Sequence, residues 1–485
     1  MAGVAVRNRL RSTPPSAARA VVGLDSPLAA CSGRCPVFRK LRRCDDDGGR
    51  VESGFLEVDE TMPPAGTVAS ELRALAASLE GDLYSGDLAR AVYATDASEY
   101  QQRPLAVALP KTEADIGRLV RFAAAEGIPL VPRAAGTSLA GQVVGSGIVV
   151  DVGRHMNRIL GVDLERRQVR VQPGVIRDDL NRFLAPHGLF FAPETSTAGW
   201  AMIGGMVGNN SCGANSIAYG STREHIVGLR GYLADGSVAR FGPLSTAEFA
   251  AKCEGPDSLE TRIHRGLRDL LGRETVRREI REGFPRPEVT RRNTGYALDA
   301  LLESSCFAAA DGGSTEAREL RPLNLCRLLA GSEGTLVFGV EYELQVIPLP
   351  PPGALMVVHC GSVDEALRAT LVVMRGRPAD GPACELTACE LIDDKILACT
   401  KDNPEQARNR SFVVGDPGAV LVVELKHADP AMIAEGMADL ETRLREAGLG
   451  YAFPVLRGKE CSRVWELRRA GQGLVNNLPG DAKPR

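Results

Sequence analysis

Apolar residues recur at helical spacing in SELRALAASLEGDL, residues 70–83, and again in ADIGRLVRFAAAEG, a helix that Gly127 stops. Between and after them, the short runs LAVALP, IPLVPR and GIVVDVG read as strands, and a loop, PRAAGTSLAGQ, separates the last two. RQVRVQPG and the helix IRDDLNRFLAPHG continue the alternation, which indicates mixed α and β structure with ligand-facing loops at strand ends. GWAMIGGMVGNNSCGANSIAYGS follows with neither helical nor strand period, and a loop that long inside a compact domain is usually functional. REHIVGLRGYLADGSVARFG predicts a hairpin turning at Asp235-Gly236, followed by an arginine-rich helical region to about Arg281. LCRLLAGSEGTLVFGVEYELQVIPLPPPG predicts a helix end, a tight glycine turn and a long strand closed by prolines.

These patterns divide the chain into a disordered lead-in over 1–65, rich in Arg, Ser, Pro and Gly, a first globular domain over 66–348, and an α+β domain over 349–485 with strands ALMVVHCG and AVLVVELK. The basic, acid-free opening is compatible with an organelle transit peptide or with an over-extended start, and both readings stay open.

Composition removes several classes of function. Fifty-eight Lys and Arg against 61 Asp and Glu leave a net charge of −3, which favours neither nucleic acid nor an anionic membrane surface. Every apolar run is far shorter than the roughly 18 residues of a membrane-spanning helix. Twelve cysteines scattered along 485 residues suit reduced thiols and a cytoplasmic setting. Neither Cys31, Cys35 and Cys44 nor Cys384, Cys389 and Cys399 have zinc or iron–sulfur spacing, and the six histidines are isolated, so no metal site is expected.

Small residues and glycines matter at a phosphate site because backbone N–H groups approach an anion only where no side chain intervenes. Ala134, Ala135, Gly136, Thr137 and Ser138 fit that need, with Arg133 beside them; the spacing is neither a Walker loop nor a Rossmann fingerprint. Gly204-Gly205, the run Asn209 to Gly213, and Tyr219-Gly220-Ser221 form a second set, and two such loops suggest a long ligand with a diphosphate in its middle.

PRAAGTSLAG, IGGMVGNNSCG, YGSTREHIVGLRGYLADGS, RRNTGYALDAL and LLAGSEGTLVFGVEYELQVIPLP, in that order, resemble the signatures of flavoproteins with a p-cresol-methylhydroxylase-type (PCMH-type) FAD domain followed by an FAD-linked oxidase C-terminal domain. That family includes D-lactate, glycolate and D-2-hydroxyglutarate dehydrogenases. RRNTGYALDAL and WELRRAGQGLVNNLPGDAKP bring the chain nearest to large bacterial members that fuse the flavin half to an iron–sulfur half. The resemblance implies an α+β fold with a two-subdomain PCMH-type FAD-binding domain and a partial C-terminal domain. It also implies that Arg133, Ala134, Ala135, Gly136, Thr137, Ser138, Gly141 and Gln142 line the FAD diphosphate. Ile203, Gly204, Gly205, Asn209, Asn210, Ser211, Cys212 and Gly213 would run along the pyrophosphate and flavin, Gly220, Ser221 and Val227 would hold the adenine end, and Glu333, Gly334 and Thr335 would add a further turn.

Relatives with covalent flavin place histidine where this chain has Thr137, so the resemblance implies non-covalent FAD. A carboxylate substrate calls for arginine, whose planar fork can pair with both oxygens. Arg468 stands where relatives bind substrate, and Lys483 is a second candidate cation; two solvated charges are the plain alternative. The family's histidine-containing C-terminal motif and its iron–sulfur cysteines have no counterpart, so no catalytic base is assigned, iron–sulfur clusters are expected outside this chain, and the chain resembles the N-terminal part of a longer protein. The expected function is oxidation of a small D-2-hydroxy acid to the 2-oxo acid, with electrons passed to an iron–sulfur domain or subunit. The expected setting is cytoplasmic, with peripheral association at the inner membrane left open. A flavin-binding module inactive without its missing part, and a sugar or alditol oxidase on the same scaffold, are the alternatives.

Overall fold

The computed structural model describes residues 65–476, apart from 287, 290, 293, 294, 308–320, 376–383 and 402. The expected lead-in, Cys31, Cys35, Cys44 and Lys483 therefore lie outside the described residues.

Three sheets organise the chain. In the first, Ala106–Leu109, Ile148–Asp151 and Leu130–Arg133 lie parallel in that spatial order, with Asp82–Tyr84 antiparallel on the outer edge. Helix Glu113–Glu126 begins at Thr112, whose hydroxyl closes a capping box with Asp115, and ends on Gly127 at φ +66°. It buries Ile116 and Leu119 against Ala106, Ala108, Ile148 and Val150. The strand Leu130–Arg133 is thereby held with its C-terminal end opening into the loop that starts at Ala134.

The second sheet is antiparallel, in the order Ile159–Asp163, Gln168–Val171, Phe338–Gln345, Ile226–Tyr232, Val238–Phe241. The last two are the hairpin read from the sequence, and Gly236 turns it at φ +79°. Helices Arg177–Leu184, Ile203–Asn209, Thr246–Glu254 and Leu259–Leu271 bury Leu180, Met206, Phe249 and Leu271 in the same core as the sheet.

In the third sheet, Glu385–Asp393, Ala419–Lys426, Gly353–Cys360 and Val455–Arg457 are all antiparallel. Successive residues of Gly353–Cys360 serve opposite faces, Met356 and Val358 one core and Leu355 and Val357 the other. Helices Val363–Arg375 and Pro430–Glu446 cover the first face; Asp394–Cys399 and Lys459–Asn476 cover the second. Burial on both faces explains why AVLVVELK and ALMVVHCG read as continuous apolar runs. The strand Glu385–Asp393, which carries Cys389, is not apparent in the sequence pattern.

One expectation is corrected. The tract from Gly199 to Ser221 is not without regular structure: Ile203–Asn209 and Ser216–Tyr219 are helical, and Met202 makes only an isolated bridge to Ile176 in place of a preceding strand.

Candidate functional site

Arg133, at the end of its strand, braces the loop that follows. Its Nη1 donates to the Thr95 carbonyl at 2.8 Å, and its guanidinium stands 5.2 Å from the centre of the Tyr93 ring. Tyr93 in turn donates to Asp151 Oδ2 at 2.7 Å; burial, then the bond to Asp151, pushes its hydroxyl pKa up to about 12. Gly136 has φ +66°, and a Cβ there would come within 2.8 Å of Arg133 Nη2, so the loop lies directly on the guanidinium. Beyond it, a hollow of about 430 Å³ is lined by Tyr100, Gln102, Ala140, Gly141 and Val144.

Gln142 is where three distant stretches meet. Its Nε2 donates to Asn209 Oδ1 at 2.9 Å and to Glu333 Oε1 at 2.6 Å. The Gly331 and Glu333 N–H groups, in turn, each donate at 2.9 Å, to the Val207 and Gly208 carbonyls at the end of helix Ile203–Asn209. Glu333 and Gly334 are both left-handed, at φ +55° and +78°, which folds the turn back onto Pro132. A Cβ on Gly205 would stand 3.1 Å from the Ala134 Cβ, which sets how closely helix and loop approach. Thr335 donates to the Ser332 carbonyl at 2.5 Å and accepts from Tyr296 at 2.7 Å.

Other residues of the second tract are committed to the protein itself. Asn210, left-handed at φ +48° and buried, accepts from Ser221 Oγ at 2.9 Å and from the Arg223 N–H at 2.8 Å. Ser211 offers its carbonyl to Thr222 Oγ1 at 2.8 Å, and Gly213 packs so closely that a Cβ would meet the Glu194 carbonyl at 2.2 Å. Buried Arg223 ties Ser221 and Thr222 to the Arg327 and Ala330 carbonyls. Cys212 is a half-buried free thiol. Gly220, at φ +73°, lies on the Glu224 side chain, and the Val227 carbonyl accepts from Asn324; no hydrogen bond described joins either to Gln142.

Helix Ser216–Tyr219 leads to a second feature, a cleft of about 260 Å³ between this tract and the third sheet. Arg177, Glu194, Asn215, Lys426, Trp465 and Arg468 line it, and among the described residues no histidine does. Glu424 accepts from Asn215 Nδ2 at 3.1 Å and Thr387 Oγ1 at 2.6 Å, with Lys426 Nζ at 3.3 Å. Arg468 is not a solvated charge: its Nε and Nη2 donate to Glu390 Oε2 at 3.1 and 2.5 Å. His359 lies buried in the third sheet, donating from Nδ1 to the Val357 carbonyl and accepting at Nε2 from the Val414 N–H. Glu424 and Lys426 had a sequence signal in two charges spaced two apart at the end of an apolar strand. Trp465 lay in the WELRRAG stretch; Arg177 and Glu390 had none.

Gln142 Oε1 is buried without a hydrogen-bond partner, and the glycines at 136, 141, 205 and 334 of the same loops allow close approach to Arg133, Tyr100, Ala134 and Pro132 in turn. A buried, unpaired acceptor at the meeting point of glycine-rich loops fits a dinucleotide offering hydroxyl and amide groups.

Comparison with known proteins agrees. Residues 104–242 match the FAD binding domain family. The chain is 32% identical over 424 residues to D-2-hydroxyglutarate dehydrogenase of Escherichia coli (strain K12), covering 84% of this chain and 39% of that one. It is 32% identical over 281 residues to the glycolate oxidase subunit GlcD of Bacillus subtilis (strain 168), covering 58% of this chain and 56% of the relative. The chain thus spans about two fifths of the length of its D-2-hydroxyglutarate dehydrogenase relatives. Among solved structures, p-cresol methylhydroxylase superposes with a TM-score of 0.56 at 11% identity, over 84% of this chain and 69% of that one. Residues 104–242 are thus an FAD binding domain, and the chain around it shares the fold of p-cresol methylhydroxylase and resembles the D-2-hydroxy-acid-oxidising flavoproteins over most of its length.

Proposed function

We propose that this chain holds FAD non-covalently at the Gln142 junction and oxidises a small D-2-hydroxy acid, of the D-lactate or D-2-hydroxyglutarate class, in the cleft beside Asn215. FAD held there would supply the hydride acceptor for the substrate's α-carbon. The protein's part is to hold and orient. Arg133 to Ser138, Gly141 and Gln142 face the diphosphate. Helix Ile203–Asn209 with Glu333 to Thr335 closes the other side. Arg468 receives the substrate carboxylate, with Lys483 as a second cation. The observation that carries this reading is that a cleft lined by Arg177, Lys426 and Arg468 opens on the same glycine-rich tract that supplies Asn209 to the junction. The electrons would pass to an acceptor outside the chain, an iron–sulfur domain or subunit, in a cytoplasmic setting. Among the described residues, no helix is long and apolar enough to cross a membrane.

A second reading has one observation in its favour. With no histidine lining the cleft, the chain would bind FAD and substrate yet need further protein to remove the hydroxyl proton. Anaerobic mixing with D-2-hydroxyglutarate and D-lactate separates the two, since prompt bleaching of the flavin supports turnover by this chain and a stable yellow colour supports the binding module. Purified protein without flavin, or bleaching by alditols and not by hydroxy acids, would overturn the proposal. Acid denaturation should release intact FAD; flavin that stays with the precipitated chain would rule out non-covalent attachment.

A further inference from the structure

Arg468 reaches the cleft while its inner edge is taken. The Nε and Nη2 atoms both donate to a single oxygen of Glu390, Oε2, which leaves the outer edge of the guanidinium, through Nη1, outside that pairing. Glu390 projects from the middle of strand Glu385–Asp393, and its side chain is only 14% exposed. Its other oxygen, Oε1, stands 3.9 Å from Arg291 Nη1. One carboxylate thus lies between two guanidinium groups, and the trio keeps a surplus of one positive charge. Two other cations at the cleft are paired: Lys426 sits beside Glu424 and Arg177 beside Asp178, while Glu194 and Arg469 complete the charged lining.

We propose that Glu390 is a positioning residue for the carboxylate site: it fixes the Arg468 side chain by its inner edge so that the outer edge is presented to the substrate carboxylate. This rests on the reading of Arg468 as the substrate arginine. An unanchored arginine samples many rotamers and gives up that freedom on binding; one pinned by a carboxylate has already done so. The pinning is rigid because the strand is paired along its length with Ala419–Lys426, and because Val464 and Leu467, on the helix that carries Arg468, are fully buried. Glu390 does not cancel the site, because Arg291 offsets its charge.

The test uses 2-oxoglutarate, which carries the carboxylates without a hydride to give. The chain has two tryptophans, and Trp465 lines the cleft while Trp200 is exposed, so a Trp200→Phe background makes fluorescence report on the cleft alone. Glu390→Ala should weaken 2-oxoglutarate binding about 10–100-fold at unchanged flavin content, with Glu390→Asp recovering most of the loss. In a double-mutant cycle with Arg468→Met, the Glu390 effect should vanish. If Glu390 merely competes with the ligand, Glu390→Ala and Glu390→Gln will bind more tightly, and the proposal fails. Unchanged affinity in a folded, flavin-loaded Glu390→Gln variant also overturns it. Should Arg468→Met bind 2-oxoglutarate normally, the underlying reading of Arg468 fails instead.

Discussion

Asn215 Nδ2 donates to Glu424 Oε2 at 3.1 Å, a bond across 209 positions that fastens the glycine-rich tract to the third sheet. Asn215 also donates to the Thr387 carbonyl, so one amide joins two neighbouring strands to the flavin-binding part. Asn215→Ala leaves Glu424 with two partners in a largely buried place, and the unfolding free energy should fall by about 1–2 kcal/mol. Urea unfolding followed by far-UV circular dichroism measures this; an unshifted midpoint would show that the contact is incidental.

Gly204 and Gly205 should behave differently under the same change. A Cβ at Gly204 would meet Pro173 at 2.7 Å, inside the fold, whereas one at Gly205 meets only the Ala134 Cβ at 3.1 Å across the gap between helix and loop. Gly204→Leu is expected to fold poorly. Gly205→Leu should fold with native circular dichroism yet lose bound FAD, because its side chain fills the gap. Full flavin occupancy in a folded Gly205→Leu protein would place the cofactor elsewhere.

Asp115 is fully buried and accepts from the N–H groups of Glu80, Gly81 and Lys111 at 2.9, 3.0 and 3.0 Å, with Arg118 at 3.1 Å. Burial alone would raise its pKa, but the backbone donors, Glu80 and Lys111 foremost, outweigh it and hold the carboxyl below its ordinary 3.8. Since the folded value lies below the unfolded one, this stabilisation is present above about pH 3.8 and is lost as the pH falls through the folded value. Asp115→Asn should cost roughly 2–3 kcal/mol at neutral pH and remove part of the acid limb. Thermal unfolding as a function of pH tests both, and a variant with the parent's acid limb would refute the assignment.

His359 gives a second pH signal at a higher window. Burial lowers its pKa below the ordinary 6.5, against the opposing pull of the Val357 carbonyl. Protonation would also place a proton at Nε2, where the Val414 N–H now donates at 3.0 Å. The folded value lies below the unfolded one, so the contribution is complete above about pH 6.5 and declines as the pH falls from there through the folded value. The melting temperature of the parent should drop over that interval, and His359→Gln, though less stable at neutral pH, should drop less. Parallel curves would exclude His359 as the source.

What the sequence revealed and what it hid divide along physical lines. PRAAGTSLAGQ was legible as a loop leaving a strand because its small residues have a purely local meaning, and Gly127 and Gly236 likewise mark their turns within a few residues. Helix Ile203–Asn209 was not legible, since three of its seven residues are glycine, which local propensity disfavours; the contacts of Gly204 with Pro173 and Gly208 with Glu333 decide the matter from a distance. The sequence suggested Arg468 through a segment that resembles the substrate-binding stretch of relatives, but gave no sign of Glu390, 78 positions away, because a glutamate in a strand looks the same whether it meets water or a guanidinium. Arg133 was legible as a loop residue but not as one turned back onto Thr95 and Tyr93.

The Gln142 junction also sets a timetable. Gln142 and Glu333 are 191 positions apart, so at synthesis rates of roughly 5–20 residues per second the second half of the cradle leaves the ribosome about 10–40 s after the first. Asn209, 67 positions after Gln142, emerges within that interval and can pair with the amide well before Glu333, while the Pro132 side of the loop lacks the Gly334 turn that later covers it. In a site built as proposed, a nascent chain would retain FAD only once residues 331–335 have emerged, just ahead of the second sheet's strand Phe338–Gln345.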